Sequence, residues 1–101
     1  MIQTGTRGTP YGRGMVVVEL SFTAEPERLA ARPAHRALLA DLHARGLLAA
    51  AGPYSDDSGA LLLFTADGPE VAEIIAADPY YRTPGVTVTA VREWNPVVGS
   101  T

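Results

Sequence analysis

Two segments of alternating apolar and polar residues, at positions 16–22 and 86–94, place the strongest limit on the fold of this chain. The first segment reads VVVELSF and the second reads VTVTAVREW, and both are rich in β-branched side chains. A period of two in such a composition is typical of β-strands that bury one face. The sequence therefore predicts a β-sheet that contains a strand from each end of the chain.

A helix is predicted between these strands at residues 33–45, preceded by a short turn. Pro33 suits the first turn of a helix, where its missing N–H removes no hydrogen bond. Arg45 and Gly46 are typical of a helix end. A cation stabilises the negative end of the helix dipole, and glycine readily adopts the left-handed conformation that follows.

Two further strands and a second helix follow along the chain. Residues 47–51 and 60–65 are short apolar runs, and the loop between them, GPYSDDSG, consists of turn-forming residues. Four consecutive apolar residues at positions 61–64 predict burial on both faces of their strand. The second helix begins at Pro69 and ends near Asp78, because the residue before a proline avoids the helical conformation.

The order of these elements, βαββαβ, predicts an α+β domain of the ferredoxin-like class. In this fold a four-stranded antiparallel sheet carries both helices on one face. Helices on one side cannot cover both faces of the sheet, and we expect that they cannot satisfy all of four apolar residues: Val17, Leu62, Phe64 and Val91. The sequence therefore predicts a homodimer in which two sheets pack face to face.

Length and composition limit the number of domains and the class of partner. Because 101 residues have room for one hydrophobic core, we expect a flexible Gly/Thr-rich tail at residues 1–14 and a single domain at residues 15–101. The net charge of -3 and the lack of a basic cluster disfavour nucleic acid and anionic membranes as partners. The absence of cysteine, of a leader-like N-terminus and of a long apolar run favours a cytoplasmic protein.

His35 is the first candidate for chemistry. It lies on the same predicted helix face as Leu38, Leu39 and Leu42, which directs its imidazole toward the core or the edge of a cleft. Asp78 ends the second helix, and the antiparallel helices of this fold would bring it near the start of the first. A carboxylate bonded to one ring nitrogen favours the protonated imidazole and leaves the other nitrogen free for proton transfer. The alternatives are a structural histidine and an Asp-Pro pair that only ends a helix.

Three more residues are candidates for substrate contact. Arg32 has a guanidinium that binds anionic groups, although an arginine beside a helix start is commonly solvated. Tyr80 and Tyr81 can line a pocket with their rings and hydroxyl groups, and one of them is expected in the core. His43 lies near the exposed end of the helix and is expected at the surface. No metal site is predicted, because two histidines eight residues apart on one helix cannot bind one ion.

Four short motifs in this order resemble the YciI-like (YCII-related) family: Arg32-Pro33-Ala34-His35, then Leu39, Leu42 and Gly46, then Ala51-Gly52-Pro53, and Asp78-Pro79-Tyr80. The resemblance extends from Met15 to Pro96 and implies a ferredoxin-like fold in a dimeric α/β barrel. It also implies that His35 and Asp78 form an active-site pair. One related branch is associated with dehydrochlorination of chlorinated hydroxyquinols, a cofactor-free elimination, and similar barrels include muconolactone isomerases. The family's loop after Gly-Pro is shortened here to residues 54–58.

Together the residues and the resemblance predict a cofactor-independent lyase or isomerase that acts on a small cyclic or aromatic acid or phenol. In this hypothesis His35 is the general acid/base, Asp78 orients it, and Arg32 and Tyr80 contact the substrate. The alternative hypothesis is a non-catalytic dimeric module that binds a small molecule or a partner protein, with His35 in a structural role. Oxygen chemistry, as in related barrel monooxygenases, is a third possibility that no further residue supports.

Overall fold

The computed structural model describes residues 8–9 and 12–99 of the chain. The main elements are, in chain order, β1 (Met15–Phe22), α1 (Pro26–Ala44), β2 (Leu48–Pro53), β3 (Gly59–Phe64), α2 (Gly68–Ala77), a short 3₁₀ helix (Pro79–Arg82) and β4 (Val86–Trp94). This order confirms the predicted α+β class. No helix in the described part of the chain is long and apolar enough to cross a membrane.

The four strands form one antiparallel sheet in the order β2-β3-β1-β4. β1 is an inner strand, and its residue Val18 lies opposite Leu62 of β3 and Val91 of β4. A shift in register between Glu19 and Leu20 interrupts the pairing of β1 with β4. The element order and the antiparallel sheet match the ferredoxin-like plan, so the predicted four-stranded sheet is confirmed.

The hydrophobic core lies between one face of this sheet and both helices. Successive side chains of a strand point to opposite faces, so every second residue of β1 and β3 points toward the helices. Leu42 of α1 and Val71 of α2 belong to the same buried cluster as the sheet residues Val18, Leu62 and Phe64. Both helices therefore cover the same face of the sheet, as predicted.

The burial of individual residues corrects part of the reasoning behind the predicted dimer. Leu62 and Phe64 face the helices and are fully buried within one chain, so these two of the four residues need no further cover. Val17 pairs with Leu63 on the opposite face of the sheet, and both residues are half-buried. Val91 on β4 is 49% exposed. The homodimer itself stays a prediction.

The first helix begins earlier than the sequence predicts. α1 starts at Pro26, which occupies the first turn and so fills the role that the prediction assigned to Pro33. Pro33 instead lies inside the helix on its exposed side, where water can replace the hydrogen bond that the carbonyl of Leu29 loses. The other predicted boundaries agree with the structure to within two residues, and those of β4 agree fully.

The predicted tail contains a small element that the sequence did not indicate. Gly8–Thr9 pairs with Gly12–Arg13 as a two-residue antiparallel ladder. The rest of the tail before residue 14, at positions 1–7 and 10–11, lies outside the described residues. The flexibility of this segment stays a prediction.

Candidate active site

α1 places His35 near its middle, on the side that faces the sheet. His35 is 6% exposed, and Leu39 and Leu42 also pack against or within the core, as predicted. Leu38 is 46% exposed, so the prediction that it shares the buried face is wrong. Around the helix axis, a residue three positions after His35 lies at a larger angle from it than a residue four or seven positions after it. The buried face of α1 is therefore narrower than predicted.

Asp78 meets His35 where the short 3₁₀ helix lies against α1. His35 Nδ1 and Asp78 Oδ2 are 2.7 Å apart, and Asp78 is itself 6% exposed. Asp78 directly follows α2 and caps the 3₁₀ helix, because its Oδ1 accepts a hydrogen bond of 2.9 Å from the Tyr80 N–H. Both carboxylate oxygens are thus engaged, and the carboxylate is held toward the imidazole. Asp78 therefore has both roles: it ends α2, as an Asp-Pro pair commonly does, and it contacts His35.

The electrostatics of His35 favour the neutral imidazole. Burial lowers the pKa of His35 below its ordinary value of 6.5, and the hydrogen bond and charge of Asp78 offset this effect only in part. The expected preference for the protonated ring is therefore outweighed by burial. In the neutral ring Nδ1–H donates to Asp78, so that Nε2 carries the lone pair. No residue in the described part of the chain hydrogen-bonds to Nε2.

Two tyrosines of the 3₁₀ helix enclose the imidazole. The ring of Tyr80 stacks on His35 with a centroid distance of 3.9 Å and an interplanar angle of 8°. The ring of Tyr81 contacts His35 in an edge-on arrangement at 5.3 Å. Burial raises the pKa of the Tyr81 hydroxyl, and this hydroxyl has no hydrogen-bond partner within residues 8–9 and 12–99. The two rings restrict the orientation of the imidazole plane.

A cavity of about 640 Å³ lies beside this pair, between α1 and the edge strand β2. The predicted contact residues Arg32 and Tyr80 line the cavity together with His35, whereas Tyr81 does not line it and packs in the core. Apolar side chains of the sheet form much of the wall: Leu20, Phe22, Leu48, Ala60 and Leu62. None of the described residues that line the cavity is an aspartate or a glutamate.

Arg32 forms an ion pair with Asp57, which lies in the loop after β2. Arg32 Nη2 is 3.3 Å and Arg28 Nη2 is 3.1 Å from the same oxygen, Asp57 Oδ2. The hydrogen bond from Arg28 lowers the pKa of Asp57 below its ordinary value of 3.8, so this carboxylate is charged at neutral pH. Arg28 is 4% exposed; its Nε donates to the Thr23 carbonyl and its guanidinium lies 4.4 Å from the centroid of the Phe22 ring. This network ties the loop to α1 beside the cavity.

The arrangement around His35 and Asp78 lies within a region that matches a known family. The sequence profile of the YCII-related domain matches residues 13–95. The chain belongs to the YCII-related domain family. The match confirms the family resemblance, and it includes the whole four-stranded sheet and both helices of this YCII-related domain. A search of curated proteins finds no match.

Three charged residues near the site of this YCII-related domain are absent from the sequence prediction: Arg28, Asp57 and Arg36. Arg28 and Asp57 are brought together only by the fold, and no spacing in the sequence signals their contact. Arg36 lines the cavity directly after His35. Its position four residues after Arg32 was a usable signal, because residues four apart share a helix face.

His43 is exposed, as predicted, and it also has a structural contact. Its Nδ1–H donates to the Leu48 carbonyl at 2.8 Å, which joins the end of α1 to β2. Within the described residues of the YCII-related domain, no three or more histidine, aspartate or glutamate side chains are grouped so as to hold a metal ion. His43 also lines the cavity, so the described side chains place two imidazoles there, and that of His35 is the one bonded to a carboxylate.

Proposed function

We propose that this YCII-related protein is a cofactor-independent enzyme of the lyase or isomerase type that acts on a small cyclic or aromatic compound. The observation that carries the proposal is the His35–Asp78 pair beside the cavity. Nδ1 of His35 is bonded to a fixed carboxylate at 2.7 Å, and Nε2 has no partner in the described part of the chain. This is the arrangement of a general base oriented by a carboxylate.

In the proposed mechanism neutral His35 accepts a proton from the substrate at Nε2. The electron pair of the broken C–H bond then moves into a new double bond. A lyase reaction is completed when a leaving group departs with its bonding electrons, and an isomerase reaction when His35 returns the proton to another carbon. The carboxylate of Asp78 stabilises the transient imidazolium through the bond to Nδ1. Proton transfer of this kind requires an acid/base and no bound cofactor.

The cavity walls support a ring-shaped substrate. Tyr80 and the apolar residues of the sheet provide flat and apolar surface beside His35. Arg32 is held at the cavity by Asp57 and is proposed to contact a polar group of the substrate. Tyr81 is proposed to hold the imidazole of His35 in position, because it contacts His35 and does not line the cavity.

We also propose that the protein is a cytoplasmic homodimer that associates through the sheet face opposite the helices. Support for the dimer comes from the half-buried Val17 and Leu63 on that face and from Trp94, which is 45% exposed. The absence of cysteine fits a reducing compartment. Light scattering on the eluted protein measures the mass, and a monomer would contradict the dimer.

The acid/base proposal is tested by proton exchange, because deuterium from the solvent marks proton abstraction whichever product is formed. Cyclic and aromatic acids and phenols are incubated with the protein in D₂O, and deuterium incorporation or substrate loss is followed by NMR. A general base contributes about 10²–10⁴-fold in rate, so His35→Ala should lose nearly all activity. Asp41→Asn is the control, because Asp41 lies on the exposed side of α1, pairs with Arg45 and does not line the cavity. Undiminished turnover in His35→Ala contradicts the role of His35.

A non-catalytic dimeric module that binds a small molecule or a partner protein is the second candidate. It is favoured by one observation: the buried pair also joins α1 to the cap of the 3₁₀ helix. Under this alternative His35→Ala lowers the melting temperature, and neither the wild-type protein nor the variant shows exchange with any compound. Thermal shift and exchange measured on the same samples separate the two functions.

A further inference from the structure

The cavity has an excess of positive charge that the proposed function does not yet use. Arg32 and Arg36 both line it from α1, one helical turn apart. Like charges at this spacing destabilise a helix slightly unless an anion lies near them. Asp57 is the carboxylate that approaches Arg32, through Oδ1 at 3.4 Å and Oδ2 at 3.3 Å.

Asp57 does not balance the whole cluster, because it is shared with a second arginine. Its Oδ2 also accepts a hydrogen bond from the buried Arg28 at 3.1 Å. One carboxylate thus serves two guanidinium groups, and the third, Arg36, has no hydrogen bond or ion pair with any described residue. Asp78, the other carboxylate near the site, is occupied by His35 and by the Tyr80 N–H.

The position of Arg36 connects this surplus charge to the proposed reaction. Arg36 follows His35 directly, lines the same cavity, and is close enough for its charge to act on the imidazole. No aspartate or glutamate among the described lining residues competes for it. A ligand that reaches His35 from this cavity therefore meets a free guanidinium beside the base.

We propose that the cavity selects a small ring compound that carries a negative charge, a carboxylate or a phenolate, and that Arg36 binds this charge with Arg32 beside it. The remainder of the ligand lies against Tyr80 and the apolar wall, with its reacting hydrogen at Nε2 of His35. This inference rests on the proposed function, because it names the substrate class of the same site. Arg36 is thus a specificity-determining residue for the anionic group.

The test compares charged and neutral ligands of equal shape on the full chain. Benzoate and cyclohexanecarboxylate are titrated against benzamide and cyclohexanecarboxamide, and binding is followed by NMR at the amides of cavity residues. Both anions should bind more tightly than their amides, and added salt should weaken only the anions. Arg36→Gln should weaken the anions about five- to tenfold and leave the amides unchanged. Arg45→Gln is the control, because Arg45 directly follows α1, lies outside the cavity and pairs with Asp41.

The outcomes separate this inference from the proposed function. Equal affinity for anion and amide, absence of binding by either anion, or unchanged anion affinity in Arg36→Gln overturns the anion site. Arg36→Lys keeps the charge and should retain part of the selectivity for anions. If this variant loses all selectivity while its NMR spectrum shows a folded protein, the effect depends on the two-pronged geometry of the guanidinium and not on charge alone. Anion selectivity that depends on Arg36, without proton exchange at any substrate, supports the site and refutes the acid/base role of His35. Proton exchange that depends on His35, without anion selectivity, supports the acid/base role of His35 and refutes the anion site.

Discussion

Replacing Asp78 with asparagine should reverse the tautomer of His35 while leaving the fold nearly intact. In the native protein Asp78 accepts two hydrogen bonds, one from the Tyr80 N–H and one from His35 Nδ1. Asparagine has a single oxygen, and the Tyr80 N–H can bond only to that oxygen. The amide nitrogen then faces His35 and donates to Nδ1. The imidazole must carry its proton on Nε2, which removes the lone pair that the proposed base needs.

The magnitude follows from the two roles of the carboxylate. Stability should fall by about 1–2 kcal/mol, because Asp78→Asn exchanges a charge-assisted hydrogen bond for a neutral one without opening a cavity. Activity should fall far more, by about 10²–10⁴-fold, since the base is both in the wrong tautomer and without a charge to stabilise its protonated form. If the carboxylate were purely structural, Asp78→Asn would lower the stability and leave the activity of the folded protein unchanged.

The measurement is ¹⁵N NMR of the imidazole of His35 together with the deuterium-exchange assay. We expect protonated Nδ1 in the native protein and protonated Nε2 in Asp78→Asn, with exchange lost in the variant. Asp41→Asn removes an equal charge from the exposed side of α1 and should change neither. Reversal of the tautomer with undiminished exchange would refute Nε2 as the base. Loss of exchange without reversal would refute the geometric argument.

Two further predictions concern stability. Burial lowers the pKa of His35 below 6.5, so the unfolded chain binds this proton at pH values at which the folded chain does not. The free energy of unfolding should therefore fall as the pH drops through 6.5 and level off below the folded pKa, and urea titrations should show a weaker dependence in His35→Gln. Gly59→Ala should cost about 1–3 kcal/mol, because its Cβ would collide with the Leu20 carbonyl. Gly52→Ala, with nothing within 4 Å, should change urea stability by less than about 0.5 kcal/mol.

The predictable part of the fold is the part with a clear period. The alternation in β4 defines both of its ends, and the strand occupies Val86–Trp94 as predicted. Positions 61–64 are harder to predict, because four successive apolar residues contain no alternation to assign the two faces. The pattern therefore does not show which of the two faces Leu62 and Phe64 occupy, and the structure packs both under the helices. The start of α1 was misplaced for a related reason: two prolines suit a first turn equally well, and only packing decides between them.

The site was predictable where topology alone brings residues together. The helix ending at Asp78 predicted this carboxylate near His35, and the distance of 2.7 Å agrees with that expectation, although His35 lies near the middle of α1 and not at its start. Asp57 could not be found in the same way, because it lies in an irregular loop with a φ of 60°. Its contacts with Arg28 and Arg32 depend on how the loop folds back on α1. No periodic pattern in the sequence predicts how this loop folds.

The burial of the His35–Asp78 pair argues for a role beyond stability. A buried polar pair seldom stabilises a fold more than apolar side chains of equal volume, because the loss of hydration offsets most of the attraction between the partners. Nε2 of His35 is not one of the described buried side-chain atoms that lack a hydrogen-bond partner, which are Arg28 Nη1 and the Tyr81 hydroxyl, so this nitrogen is accessible from the cavity. His35 satisfies Nδ1, and Nε2 has no partner in the described part of the chain. Since His35 also lines a cavity without acidic residues in its described wall, Nε2 is placed to accept a hydrogen bond or a proton from a ligand in that cavity.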